Sequence, residues 1–258
     1  MIRVIACLLL LLPAIARADG PTSRLDDIIA RGTLRVGLTG DYKPFSSRDP
    51  ASGETTGLDV DMADSLAHAL GVKLEIVPTK WKDLLTDLSA QKFDIAMGGI
   101  SVTLVRQKSA LFSTPVMRAG KAAIARCAEA DRFGSLDAID KPGVKVIVNP
   151  GGTNETFDKA HLHAATIVPF PNNTGIFDAL AAGEADLMIT DAVETRLQSA
   201  LHKGTLCAIH PDQPFDFGEL AYLLPRDVVW QEYVDQWLHL ITENGERATL
   251  IAKWLPSS

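Results

Sequence analysis

The run Ala185-Asp186-Leu187-Met188-Ile189 reads as a short buried strand, and Thr190 and Asp191 break its apolar character. Ala192 to Ala200 then has helical composition, so Asp191 and Glu194 sit three residues apart on one face of a first helical turn. Asp at the N-cap with Glu at N3 is a capping box, which ties off unpaired helix N–H groups. The same two carboxyls could also divide their work, one holding a ligand and the other giving up a proton. On these residues alone the cap is the favoured reading.

Other residues could supply matching chemistry. Gly98, Gly99 and Ser101 with Arg106 offer backbone N–H groups, a hydroxyl and a guanidinium, a set able to clamp a carboxylate. A glycine turn beside a surface arginine has the same composition. Gly151-Gly152-Thr153-Asn154 ahead of a helix is a second anion-binding arrangement, although a glycine-rich turn with a threonine cap is the plainer reading. It lacks the Gly-Lys-Ser/Thr of a phosphate loop, which argues against nucleotide phosphate. Tyr42 and Trp81 could wall a pocket and stack on a ring, or simply pack in a core. No Gly-x-Ser-x-Gly occurs, and the six histidines are scattered without Cys or carboxylate neighbours at ligand spacing. Acyl transfer therefore has no support, and no metal is expected. Asp191 and Glu194 share one turn, a poor arrangement for attacking a sugar from opposite faces.

The elements that must position these residues follow from periodicity. Ser23 to Arg31 reads as a helix, Thr33 to Leu38 as a strand, and Asp59 to Leu70 as a helix with Val60, Met62, Ala63, Leu66, Ala67 and Leu70 on its apolar stripe. A strand at Lys73 to Val77, a helix at Trp81 to Leu88, a strand at Phe93 to Met97 and a short helix at Arg106 to Ala110 follow. This β-α-β-α-β order argues a parallel sheet with ligand groups at the strand ends. A second unit runs through strands at Ala122 to Arg126, Val144 to Val148, Ala165 to Pro169 and Ala185 to Ile189, with helices between them. Leu220 to Leu224 reads as a returning strand, and Val228 to Asn244 and Ala248 to Trp254 as closing helices. The pattern predicts one lobe from residues 19–118 plus 218–258, a second from 119–217, and a hinge between them.

Residues 1–18 read as a signal peptide: Arg3, an apolar run from Ile5 to Leu12, and the A-x-A site Ala16-Arg17-Ala18. Losing Arg3 and Arg17 moves the formal net charge from −7 to −9. An acidic chain without a basic run is a poor match for nucleic acid, and no later stretch is long and apolar enough for a membrane span. Cys7 leaves with the segment. Cys127 and Cys207 then remain as an even pair in an oxidising compartment, and a disulfide between them is expected.

Arg35-Val36-Gly37, Tyr42-Lys43-Pro44-Phe45, Gly57-Leu58-Asp59-Val60-Asp61, Phe93-Asp94-Ile95-Ala96, Arg106 and Phe112-Ser113-Thr114-Pro115 together resemble the periplasmic amino-acid-binding proteins of ABC importers. The resemblance implies an α/β, two-lobed periplasmic binding protein-like (type II) fold with a ligand closed between the lobes. Within that superfamily, Thr39 to Phe45, Val148-Asn149-Pro150-Gly151-Gly152-Thr153-Asn154-Glu155, Ala185 to Glu194, Gln213-Pro214-Phe215-Asp216-Phe217 and Tyr233 to His239 are more similar to the cyclohexadienyl dehydratases. These are periplasmic prephenate/arogenate dehydratases.

That resemblance implies conversion of prephenate to phenylpyruvate and of L-arogenate to L-phenylalanine, with no cofactor. Arg106 and Ser101 would take a substrate carboxylate and Tyr42 and Trp81 would face the ring. Asp191 would stand where binding proteins hold the α-amino group, and Glu194 would be the catalytic acid. Asp41, Gly99, Asn149, Thr153 and Asn154 complete the expected substrate contacts. Prephenate carries a ring carboxylate opposite a ring hydroxyl, and losing CO2 and water makes the ring aromatic. The protein then needs one protonated acid and a grip on the carboxylates. Burial and the neighbouring Asp191 would raise the Glu194 pKa. The competing reading is a non-catalytic amino-acid-binding protein of an importer, with the same fold and pocket but no use for a proton donor at Glu194.

Overall fold

The computed structural model describes residues 23–255, and the signal peptide expected over residues 1–18 lies outside them. Two five-stranded sheets organise the chain. The first runs, in spatial order, Lys73–Pro78, Thr33–Leu38, Ile95–Ala96, Leu223–Leu224, Leu111–Phe112. Its first three strands are parallel, as the β-α-β order requires, and the returning strand Leu223–Leu224 joins antiparallel. The second sheet runs Thr166–Pro169, Lys145–Val148, Leu187–Asp191, Lys121–Arg126, Leu206–Ile209. A two-stranded ribbon, Met117–Ala119 against Gly218–Leu220, carries the chain out of the first sheet's lobe and back.

The strands are buried because helices cover both faces. Leu34, Val36 and Leu38 meet Met62, Ala63 and Leu66 of the helix Leu58–Leu70 and Trp230, Val234 and Trp237 of the helix Val228–Glu243 in one core. The second lobe has its own core, with Ala123, Val146, Leu187 and Ile189 packed on Phe133 and Phe157. Among the described residues, no helix is long and apolar enough to cross a membrane.

Local chemistry sets several boundaries. Ser23 and Asp26 form a reciprocal capping box at the helix Arg24–Arg31, and Gly32 ends it in the left-handed region. Asp94 is fully buried and gathers Arg24, Arg31 and Arg35, which ties that helix to the first sheet. Gly57 precedes the helix Leu58–Leu70, where a Cβ would stand 2.3 Å from the Phe45 carbonyl oxygen. Cys127 and Cys207 form the expected disulfide, 80 residues apart. Closing a loop of that length removes about 4 to 5 kcal/mol of freedom from the unfolded chain at most.

Three expectations need correction. The helix expected at Arg106 to Ala110 lies at Leu104–Gln107, because Thr103 caps it by accepting from the Arg106 N–H. The strand expected to end at Ile189 continues through Thr190 to Asp191, since both residues pair with the neighbouring strand at Ala122 and Lys121. The returning segment Leu220 to Leu224 is two short strands that serve different sheets.

Candidate active site

The strand register of the second sheet builds the centre of the site. Asp191 ends its strand directly opposite Lys121, which begins the neighbouring antiparallel strand. Their side chains meet, Lys121 Nζ to Asp191 Oδ1 at 2.7 Å, and both are buried. The ammonium also donates to Asn154 Oδ1 at 2.5 Å and to Thr153 Oγ1 at 3.2 Å, both at the start of the helix Thr153–His161. Asn154 donates to the Thr190 hydroxyl at 2.9 Å, and Thr190 donates to Glu194 Oε2 at 2.6 Å. From the first lobe, the Tyr42 hydroxyl donates to Asp191 Oδ2 at 2.6 Å. One connected network thus runs from Tyr42 through Asp191, Lys121, Asn154 and Thr190 to Glu194.

This network overturns the capping-box reading of Asp191 and Glu194. Asp191 is the N-cap of the helix Ala192–Leu201, but its carboxylate makes no hydrogen bond to that helix. Both its oxygens are engaged by an ammonium and a phenol from distant elements, and charge-assisted bonds of this kind outcompete a neutral amide donor. Glu194 likewise turns to Thr190, not back to the N-cap N–H.

A narrow cleft, partly open to solvent, lies between the lobes beside this network. Tyr42, Trp81, Gly99 and Ser101 line it from the first lobe, and Asn149, Thr153, Asn154, Asp191 and Glu194 from the second. The rings of Tyr42 and Trp81 meet edge to face in the cleft wall, centroids 5.7 Å apart. The lobes touch around it: Ser101 Oγ lies 3.1 Å from Thr153 Oγ1, and Asn173 Nδ2 donates to the Asp41 carbonyl at 3.0 Å.

Two expected contacts stand outside this wall. Arg106 donates through Nη1 to the Ser101 carbonyl at 2.8 Å and so fixes the Ser101 loop without lining the cleft. It remains close enough to Asp191 for that charge to counter the effect of burial on its own proton affinity. Asp41 accepts from Trp81 Nε1 at 3.0 Å and faces a separate cavity. The Gly98 and Gly99 N–H groups, expected as carboxylate donors, are consumed at 2.7 and 2.9 Å by the buried carboxylate of Asp59. Gly99 lines the cleft without a free N–H, and a Cβ there would stand 2.5 Å from Phe45.

Electrostatics sort the carboxyls. Burial pushes the Glu194 pKa up to about 8, with Asp191 and Asp41 adding to the rise and Thr190 and Lys121 opposing it. Asp191 is a lesser cause than burial, and Lys121 beside it works in the opposite direction. The same burial raises the Tyr42 phenol well above its usual value, with Asp191 and Glu194 contributing, so it serves as a donor. Among the described residues, no group of three or more His, Cys, Asp or Glu is placed to hold a metal ion.

Sequence reasoning missed Lys121, Thr190 and Asn173. Lys121 carried one usable signal, a lysine directly before the apolar run Ala122 to Ala125 of the strand Lys121–Arg126. Nothing local marks Asn173, whose partner Asp41 lies 132 residues away, and Thr190 shows only its polarity, although Glu194 is four residues on and Asn154 is 36 residues back.

Comparison with known proteins places this geometry among relatives. The family described as bacterial extracellular solute-binding proteins, family 3, matches residues 34–257. The cyclohexadienyl dehydratase of Pseudomonas aeruginosa is 52% identical over 255 residues, covering 99% of this chain and 94% of that protein. The L-cystine-binding protein TcyJ of Escherichia coli strain K12 is 30% identical over 65% of this chain and 62% of its own length. Among solved structures, an ancestral amino-acid-binding protein described as a precursor of cyclohexadienyl dehydratase superposes with a TM-score of 0.83 at 38% identity, covering 90% of this chain and 100% of that one. An ancestral cyclohexadienyl dehydratase is 52% identical with a TM-score of 0.58, covering 92% of this chain and 98% of that one.

Proposed function

The chain belongs to the family 3 bacterial extracellular solute-binding proteins, with their two-lobed type II fold, and from that premise we propose that it is an enzyme, a cyclohexadienyl dehydratase. It acts in the periplasm on prephenate and L-arogenate, giving phenylpyruvate and L-phenylalanine with loss of water and CO2. The observation that carries this reading is Glu194: a buried carboxyl at the cleft that keeps its proton up to about pH 8. A receptor for amino acids gains nothing from a proton donor there, whereas the reaction needs one for its leaving hydroxyl.

The other residues orient and balance charge. Trp81 and Tyr42 bound the ring, and Glu194 faces the ring hydroxyl. Lys121 supplies positive charge near the substrate carboxylates, with Ser101 and Thr153 as hydroxyl donors and Arg106, bonded to the Ser101 carbonyl, as a second cation. Proton transfer from Glu194 to the departing hydroxyl, C–O cleavage and loss of the ring carboxylate as CO2 leave an aromatic ring. Hinge motion about the ribbon Met117–Ala119 and Gly218–Leu220 admits substrate, with residues 119–217 moving as the second lobe.

Lys121 also bears on the receptor alternative. Its ammonium already satisfies Asp191, the group that would hold a ligand's α-amino nitrogen. A free amino acid, L-arogenate included, must share that carboxylate with a resident cation, while prephenate has no ammonium to place, so prephenate is the better-matched of the two substrates. Purified protein mixed with prephenate at neutral pH is expected to form phenylpyruvate far faster than the uncatalysed background. No phenylpyruvate and no phenylalanine from arogenate, together with tight binding of an amino acid, would return the chain to the receptor reading.

A further inference from the structure

The proposed reaction consumes a proton in every turnover. Prephenate enters as a dianion, and phenylpyruvate leaves as a monoanion with CO2 and water, so one proton must come from solvent. Glu194 gives that proton to the leaving hydroxyl and becomes a carboxylate, yet it is only 3% exposed and the lobes are hydrogen-bonded around the cleft. A second route to the carboxyl exists. Glu194 also lines an outer cavity of about 440 Å³ that does not include Trp81, Ser101 or Thr153. Thr190 holds Oε2, and Oε1 has no hydrogen-bond partner among the described residues.

The wall of this outer cavity has a sequence logic. Glu194, Gln198 and His202 stand at i, i+4 and i+8 along the helix Ala192–Leu201 and its C-cap, a single row about 12 Å long at 1.5 Å per residue. Glu194 and Gln198 are buried, and His202 is half-buried, its Nε2 3.5 Å from Asp178. Facing the row from other elements are Asp41, Lys43 and Arg48 of the first lobe, with Asp178 beside His202. A cavity of this size with charged walls holds water, which can span the remaining gaps.

We infer that this outer cavity is the proton inlet of the closed enzyme, with His202 at its solvent end and Glu194 at its inner end. His202 imidazolium releases a proton to water in the cavity, the water chain passes one to the Glu194 carboxylate, and His202 takes a proton back from bulk buffer. Reprotonation then needs no opening of the lobes. A plain structural role for His202 also exists, since its Nδ1 lies 3.0 Å from the Gln198 carbonyl at the helix end, and the test separates the two.

The inference rests on the dehydratase reading, so product formation by the wild type is measured first and decides that reading by itself. Single-turnover stopped flow with a pH-indicator dye then times proton uptake against product release, followed by the change in intrinsic tryptophan fluorescence, to which Trp81 at the cleft contributes. The expected result is uptake before release in the wild type, and uptake delayed until release in Gln198→Met, which makes the middle of the row apolar. His202→Ala is expected to lower kcat about 3- to 10-fold in dilute buffer, with KM unchanged and saturable recovery on adding imidazole. Uptake coincident with release in the wild type overturns the inlet, because the proton then arrives only when the lobes open. Loss of kcat in His202→Ala without imidazole rescue also overturns it, leaving His202 a structural residue.

Discussion

Replacing Asp158 by leucine is expected to stabilise the protein, and to do so only away from acid. Asp158 lies on the helix Thr153–His161, is fully buried, and neither carboxyl oxygen has a hydrogen-bond partner. Burial pushes its pKa from 3.8 up to about 7, Lys121 opposing and Glu155 assisting. The folded protein therefore holds this proton to higher pH than the unfolded chain does. Between about pH 4 and 7 the folded state binds more protons, so stability falls as pH rises through that window and is level above it. At about 1.4 kcal/mol per tenfold change in proton affinity, the ceiling on this loss is roughly 4 kcal/mol, and relaxation around the charge should leave about half of it. Asp59, raised to about 6, and Glu194, raised to about 8, act in the same direction. Subtracting Asp158→Leu from wild type isolates one residue from the three. Urea denaturation across pH 4 to 8 should show the two proteins within about 1 kcal/mol at pH 4 and the variant about 2 kcal/mol more stable at pH 8. Parallel curves for the two proteins would refute the argument that burial without a partner sets this carboxyl.

Two further outcomes concern the site. Lys121→Met should lower kcat/KM at least 10²-fold and cost about 3 to 5 kcal/mol in stability, because it leaves Asp191 buried without its cation; calorimetric titration should also show affinity shifting toward free amino acids relative to prephenate, and an unchanged ratio would count against the claim that Lys121 occupies the ammonium position. Arg106→Lys should raise KM about tenfold and Arg106→Ala more, since an ammonium cannot both hold the Ser101 carbonyl and present a second edge to a carboxylate; unchanged kcat/KM in folded Arg106→Ala would remove Arg106 from substrate binding.

The fold was legible wherever local chemistry and burial agreed. Thr33–Leu38 carries its bounds in the sequence, and of the expected stripe Met62, Ala63, Leu66 and Ala67 are buried while Val60 and Leu70 lie half-buried at the margin of the core. Nine of the expected site residues line one cleft because each follows a strand end or opens a helix, where an α/β unit presents its loops. What could not be read was set by long-range competition. Asp191 and Glu194 have the spacing of a capping box, but Lys121 is 70 residues away and Tyr42 149, and only the sheet register and the closed lobes bring them in. Thr190 looked like a strand breaker because threonine is polar, although its hydroxyl is satisfied at both ends by Asn154 and Glu194. Asp59 hid in the first turn of a helix, where an acid is ordinary, and its role in fixing the Gly98-Gly99 turn appears only in three dimensions. Buried polar residues that depend on distant partners leave little local trace.

As a dehydratase, the protein needs Glu194 as a neutral acid that gives its proton to the leaving group. The pH dependence of kcat for prephenate, measured in parallel for the wild type and Glu194→Gln from pH 6.5 to 9.5 with the uncatalysed rate subtracted, tests it most directly. Glutamine keeps the size and can still accept from Thr190, but it has no carboxylic proton to give. The expected result is a wild-type kcat that falls as pH rises through about 8, and a variant whose kcat is about 10²- to 10⁴-fold lower, with that limb absent and KM little changed. A Glu194→Gln protein with wild-type kcat, or with the same alkaline limb, would contradict the claim.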